Sequence, residues 1–182
     1  MAKCYNSTEI HCLNKRQIFF DANILLYIFW PTGFYSWEKQ YSAIFSRLLK
    51  QKNGMVVDFI VISEVINRAV RTEYEKHLQQ QNISGKKLPF KKYRDSQEGQ
   101  DALGDIYQVF KKNIINKFSF MGKAFSKADI EGFLHNNSLD FSDKGIAAIC
   151  KDNNFVLLTN DKDFAGTDLE ILTSHPDLLR MP

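Results

Sequence analysis

Two short apolar runs constrain this chain more than anything else in it. Gln17-Ile18-Phe19-Phe20 leads straight into Asp21, and Phe155-Val156-Leu157-Leu158-Thr159 is followed two residues later by Asp161. Unbroken apolar runs of this length, bounded by turn formers, fit strands buried on both faces, which is how strands of a parallel sheet read. Each is followed or preceded by a segment with helical spacing, and strands alternating with helices predict an α/β fold around a parallel sheet. The carboxyl edge of such a sheet is where ligands and reaction centres collect. Asp21 and Asp161 would project there together.

Between these runs the spacing predicts further helices. Trp37, Tyr41, Ile44, Phe45, Leu48 and Leu49 lie on one face of a helix over 36–52, with Ser36 as its N-cap. Gly54 interrupts the pattern, Met55-Val56-Val57 gives a short strand, and Asp58 is placed to cap a helix over 59–80 that carries Glu64 in its second turn. Helical spacing returns over 102–118, over 126–136 and from Ser142 to Asn153, and 168–173 alternates like a closing strand. Residues 82–100 lose periodicity and gather Gly85, Pro89 and Gly99 with Lys86, Lys87, Lys91, Lys92 and Arg94, which predicts a basic loop or mobile insertion. Residues 1–16 show no period and read as an N-terminal arm, leaving 17–182 as one domain. Cys4, His11 and Cys12 lack a fourth ligand and receive no role.

At 182 residues, with 44% hydrophobic, 13% aromatic and 25% charged residues, the chain suits one globular domain and excludes a disordered one. Three cysteines without metal-ligand spacing and no secretory leader predict a reducing, cytoplasmic setting. No apolar run reaches the roughly 18 residues of a membrane span. The net charge of +3 is too mild to identify a nucleic-acid partner by itself.

The acids carry the functional argument. Asp21 closes an apolar strand, Glu64 sits among Ile62, Val65 and Ile66, and Asp143 precedes Ile146-Ala147-Ala148-Ile149. Taken singly, each has a structural reading as a cap, a surface acid or a salt-bridge partner of Arg68 or Arg71. Taken together, four carboxylates converge on one sheet edge. Two unit charges about 5 Å apart repel by roughly 3 kcal/mol at an effective dielectric near 20, so such a group needs cations or shared protons. Oxygen ligands without histidine or cysteine suit Mg²⁺ or Mn²⁺. An ion of that kind activates water and offsets charge on a phosphate oxygen, so phosphodiester hydrolysis fits.

These residues resemble the PIN-domain nucleases, and among them the VapC-type toxin ribonucleases. Four pieces carry the likeness: Phe20-Asp21-Ala22-Asn23-Ile24-Leu25-Leu26, Val61-Ile62-Ser63-Glu64-Val65-Ile66, Asp140-Phe141-Ser142-Asp143-Lys144-Gly145-Ile146, and Leu157-Leu158-Thr159-Asn160-Asp161-Lys162-Asp163-Phe164. The resemblance implies a three-layer α/β/α fold with a central parallel sheet. It also implies an endoribonuclease using Mg²⁺ or Mn²⁺, with Asp21, Glu64, Asp143 and Asp161 as catalytic metal ligands. Asp163 competes with Asp161 for the fourth place, or adds a further ligand. Asn23 and Thr159 support the carboxylates or serve only a turn and a strand end. Lys86, Lys87, Lys91, Lys92 and Arg94, with Phe90 and Tyr93 interleaved, either contact RNA phosphates and stack bases or form a solvated loop. The partners implied are RNA, an antitoxin protein and a second copy in a homodimer. Two other readings stand beside this one. A non-catalytic PIN-like module would bind RNA or protein, although it would not need all four acids. A phosphohydrolase of the haloacid-dehalogenase type needs a second aspartate where Asn23 stands.

Overall fold

A computed structural model describes residues 2–30, 33, 35–135 and 139–180. At its centre lies Gln17–Phe20 (β2), whose Ile18, Phe19 and Phe20 are fully buried. The other strands are Lys3–Tyr5 (β1), Gly54–Val57 (β3), Ser119–Phe120 (β4), Val156–Leu158 (β5) and Glu170–Leu172 (β6). They form one parallel sheet in the order β1-β6-β5-β2-β3-β4. Helices cover it to give three α/β/α layers: Ala22–Phe29 (α1), Tyr35–Gln51 (α2), Phe59–Gln80 (α3), Phe90–Arg94 (α4), Gln97–Phe110 (α5), Lys127–His135 (α6), Phe141–Asn153 (α7) and Pro176–Leu179 (α8). Among the described residues no helix is long and apolar enough to cross a membrane.

The strand order places the site. From β2 the chain winds to β3 on one side, and β5 later docks on the other, so the winding direction reverses between β2 and β5. Open α/β sheets leave a crevice at the carboxyl ends of the strands at such a point. Phe20 is in register with Leu158. The next residues, Asp21 and Thr159, therefore emerge side by side, and the Asp21 amide still bonds the Leu158 carbonyl at 3.1 Å.

Several expectations are revised. The segment read as an arm contributes β1, which pairs with β6, and a turn at Ile10–Leu13 whose Ile10 and Leu13 are buried. A three-residue strand is too short to show periodicity. Consequently β6 lies inside the sheet and does not close it. Helix α2 begins at Tyr35, so Ser36 lies within its first turn, where its hydroxyl accepts from the Gln40 side-chain Nε2 at 3.1 Å, leaving the expected cap role unfilled. The helix expected over 102–118 runs from Gln97 to Phe110, continues as a π turn over Lys111–Ile115, and precedes the two-residue edge strand β4. Asn136, the expected end of α6, lies outside the described residues, as does Met1 at the start of the arm.

The basic segment is also not a loose loop. Tyr93 is only 3% exposed, and its ring lies 5.4 Å from Tyr74 and 5.1 Å from His77 on α3. Phe90 packs edge-on against Tyr74 at 5.4 Å, and the Tyr74 hydroxyl donates to the Leu88 carbonyl at 2.7 Å. Burial of Tyr93 removes it as a platform for RNA bases. The five basic residues remain exposed, Arg94 paired with Asp95 at 3.0 Å.

Helix α5 closes over this segment at Gly99, where an added methyl would stand 2.0 Å from the Tyr93 carbonyl oxygen. That oxygen already accepts from the Ser96 hydroxyl at 2.8 Å. Gly99→Ala is expected to cost about 1–3 kcal/mol through overpacking. Urea unfolding measures it, and an unchanged midpoint would mean that α4 and α5 part without penalty.

Candidate active site

Asp21 caps α1 because an extended residue at the end of β2 passes directly into helical backbone there. Asp21 is 5% exposed and accepts from three donors, leaving Oδ1 with a free acceptor site. Oδ1 accepts from the Ala22 amide at 2.6 Å, while Oδ2 accepts from the Asn23 amide group at 2.7 Å and the Thr159 hydroxyl at 2.6 Å. Burial pushes its pKa up to about 6, helped by the charges of Glu64 and Asp161 and opposed by the bonds from Thr159 and Ala22.

Thr159, fully buried, joins two of the acids. Its hydroxyl donates to Asp21 and accepts from the Asp161 amide at 2.9 Å, so the spacing of one residue between Thr159 and Asp161 becomes a short turn around one oxygen. Asp161 in turn caps the 3₁₀ turn Lys162–Gly166, its Oδ1 accepting from the Asp163 amide at 2.9 Å. Asn23 ties to the same strand end: its side-chain Oδ1 accepts from the Asn160 backbone N–H at 3.3 Å.

Asp143 lies in the first turn of α7, where the helix dipole favours an acid. Its pKa is nevertheless driven up to about 7, first by burial and then by the charges of Asp21, Asp161, Glu64 and Asp140. Asp140 occupies the N-cap position of α7 without a side-chain cap bond. Glu64, on the second turn of α3, is half-buried and meets Arg68 at 3.1 Å through one carboxylate oxygen. The structural alternative foreseen for it, a salt bridge one turn away, is thus present beside its coupling to the other acids.

Asp21, Glu64, Asp143 and Asp161 therefore share one electrostatic field. Asp163 is exposed, and its charge is not among the principal causes that raise the pKa of Asp21 or Asp143. Buried Asp58 also stands outside this group, as the cap of α3, accepting from the Val61 amide at 2.8 Å. Among the described residues, no three His, Cys, Asp or Glu side chains already enclose a common point. The acids fit a hard divalent cation in donor chemistry and charge, as an all-oxygen set whose members raise one another's proton affinity. They line an open edge, not a finished cage.

Sequence reasoning passed over one member of the surrounding shell. Tyr41, fully buried, donates to the Asn160 side-chain oxygen at 2.7 Å and lies 3.4 Å from the Thr173 hydroxyl, and its oxygen accepts from the Ser174 amide at 3.0 Å. Burial pushes its pKa up to about 12, so it works as a neutral hydroxyl that braces Asn160 between Thr159 and Asp161. On the apolar face of α2 it reads as ordinary core. The signal was its hydroxyl, which a buried tyrosine must satisfy.

The PIN domain family model matches residues 18–169, a span that begins in β2, ends just before β6 and contains all four acids. No curated protein matches the chain.

Proposed function

Since the chain belongs to the PIN domain family, whose members are generally nucleases, we propose that it is an endoribonuclease dependent on Mg²⁺ or Mn²⁺. The observation that carries this reading is the shared field of Asp21, Glu64, Asp143 and Asp161 at the reversal point of the sheet. A divalent cation bound there supplies water activation and offsets charge at the scissile phosphate.

The chain's own groups divide the remaining work. Asp21 is the anchor: three donors fix both its oxygens before any ligand arrives, so little reorganisation is needed on binding. Thr159 and Asn23 orient it, and Thr159 sets Asp161 at the same level. Asp143, with a pKa near 7, holds or releases a proton around neutrality, so proton and cation compete for it. Glu64 adds a fourth carboxylate, with Arg68 balancing part of its charge. Asp161 is the preferred fourth ligand and Asp163 an outer group. Lys86 and Lys87, exposed in the turn before α4, and Lys91, Lys92 and Arg94, exposed on α4, are assigned to RNA phosphates.

Within this reading the finer assignment is a cytoplasmic VapC-type toxin, acting as a homodimer and restrained by an antitoxin protein. Support for it is the resemblance of the four acidic segments. The test of the main reading is cleavage of single-stranded RNA by pure protein in Mg²⁺, Mn²⁺ and EDTA. Cleavage in either ion and none in EDTA is expected, with an unchanged far-UV circular dichroism spectrum. Full cleavage in EDTA overturns the metal dependence, and binding without cleavage in any ion makes the chain a non-catalytic module.

A further inference from the structure

Phe59, the first residue of α3, is 81% exposed, and no other ring packs against it among the described residues. A lone exposed phenylalanine is unremarkable on a protein surface. This one, however, helps line a cleft of about 520 Å³ with Glu64, Asn67, Arg68, Arg71 and Ser142. Glu64 belongs to the acidic site, and Ser142 immediately precedes Asp143, so the cleft borders the acidic site on the Glu64 side.

The two arginines are held in place. Arg68 is anchored on Glu64 at 3.1 Å, and the Arg71 guanidinium sits 4.5 Å from the centroid of the Phe90 ring. At a rise of about 1.5 Å per residue, Arg71 lies roughly 10 Å along α3 from Glu64. One wall thus presents, in order from the N-terminus of α3, an apolar ring, a carboxylate of the site, an amide and two guanidinium groups. An anionic polymer with flat apolar faces matches this sequence of chemistries. Guanidinium forks take phosphates, and an aromatic face stacks any base that is not already stacked in a duplex.

We propose that Phe59, with Arg68 and Arg71, forms a subsite for one unpaired nucleotide of a single-stranded RNA beside the scissile phosphate. The base stacks on Phe59, the neighbouring phosphates lie against Arg68 and Arg71, and the Asn67 amide meets a base or sugar edge. A duplex cannot use the subsite, because its bases present no free face. The assignment rests on the nuclease reading, but it selects single strands by a residue outside the acidic group.

Binding separates the two ideas. In the Asp21→Asn background, a fluorescein-labelled single-stranded RNA octamer and the same octamer in a duplex are titrated by fluorescence anisotropy. Phe59→Ala is expected to weaken single-strand binding about tenfold and leave duplex binding unchanged. Phe59→Trp restores the single-strand affinity. Arg71→Gln weakens binding and lowers the salt slope by about 0.7, the value for one lost phosphate contact, whereas Phe59→Ala keeps the slope. Phe59 is so exposed that its variants leave the fold intact, as a thermal melt verifies. Single-strand affinity untouched by Phe59→Ala overturns the subsite alone and leaves the ring to a protein partner. Failure of the parent protein to bind either RNA removes the nuclease reading along with it.

Discussion

Replacing Asp21 by asparagine is expected to lower RNA cleavage at least roughly a thousandfold, about 4 kcal/mol of transition-state stabilisation at 1.36 kcal/mol per decade. The same substitution is expected to alter stability in a pH-dependent way that identifies its cause. A carboxyl group raised from 3.8 to about 6 favours the folded state while it holds its proton. That contribution is intact below pH 4 and is lost as pH rises through about 6, a penalty of about 3 kcal/mol at pH 8. Asparagine removes the penalty. It also places an amide where Oδ2 receives the Asn23 and Thr159 donors, which costs about 1–2 kcal/mol at any pH. In EDTA the variant should therefore be less stable than wild type at pH 4 and as stable or more stable at pH 8. The difference between the two proteins should change by about 3 kcal/mol across that range. Urea unfolding at both pH values, beside cleavage assays in Mn²⁺, measures it. A variant equally destabilised at both pH values and still cutting RNA would show Asp21 to be a structural acid.

The second large effect concerns the wild-type protein and its cation. Asp21 and Asp143, with values near 6 and 7, both make the metal-free protein less stable as pH rises from about 4 to about 8. A divalent ion that binds the deprotonated acids acts in the opposite direction. At a hundred times its dissociation constant it stabilises by about 2.7 kcal/mol. For a domain of this size that raises Tm by roughly 5–10 °C. The increase should be large at pH 8 and small at pH 5, where protons occupy the same oxygens. Thermal melts with Mg²⁺, Mn²⁺ and EDTA at the two pH values provide the comparison. A melting temperature indifferent to both ions at pH 8 would remove the four acids from consideration as a metal site. An increase of equal size at both pH values would place the ion elsewhere.

The parts of this fold that were readable in the sequence are those with enough residues to express a period. Helix α3 was legible at both ends, from its Asp58 cap to Gln80, because an apolar strand, a capping acid and a long amphipathic pattern follow one another without interruption. Strands β2 and β5 were legible because burial on both faces leaves nothing but apolar residues. Strands β1 and β4, with three and two residues, carry no period at all, and only their pairing partners define them. Helix α4 was hidden for a related reason: five residues rich in lysine resemble a loop until Tyr93 and Phe90 meet Tyr74 across the gap.

The site divides along the same line. Asp21, Glu64 and Asp143 stood out because acids in apolar surroundings are rare, and Asp161 because it follows the end of an apolar strand. What the sequence left open was partnership at a distance. Thr159 reaches Asp21 across 138 positions and Tyr41 reaches Asn160 across 119, which no local pattern encodes. The charge of Asp161 likewise acts on Asp143, a coupling that the fold sets and the motif does not.

Strand β1 also bears on the order in which the molecule can be assembled. It comes first in sequence among the described strands, yet its pairing partner β6 spans residues 170–172, and β6 itself leans on β5, which leans on β2. Lys3–Tyr5 therefore has no strand partner in the sheet until Glu170–Leu172 is available to pair with it. Until β1 docks, β6 offers an open parallel edge to any strand nearby, including β1 of a neighbouring copy, so strand exchange between chains is the misassembly to which this topology is most exposed.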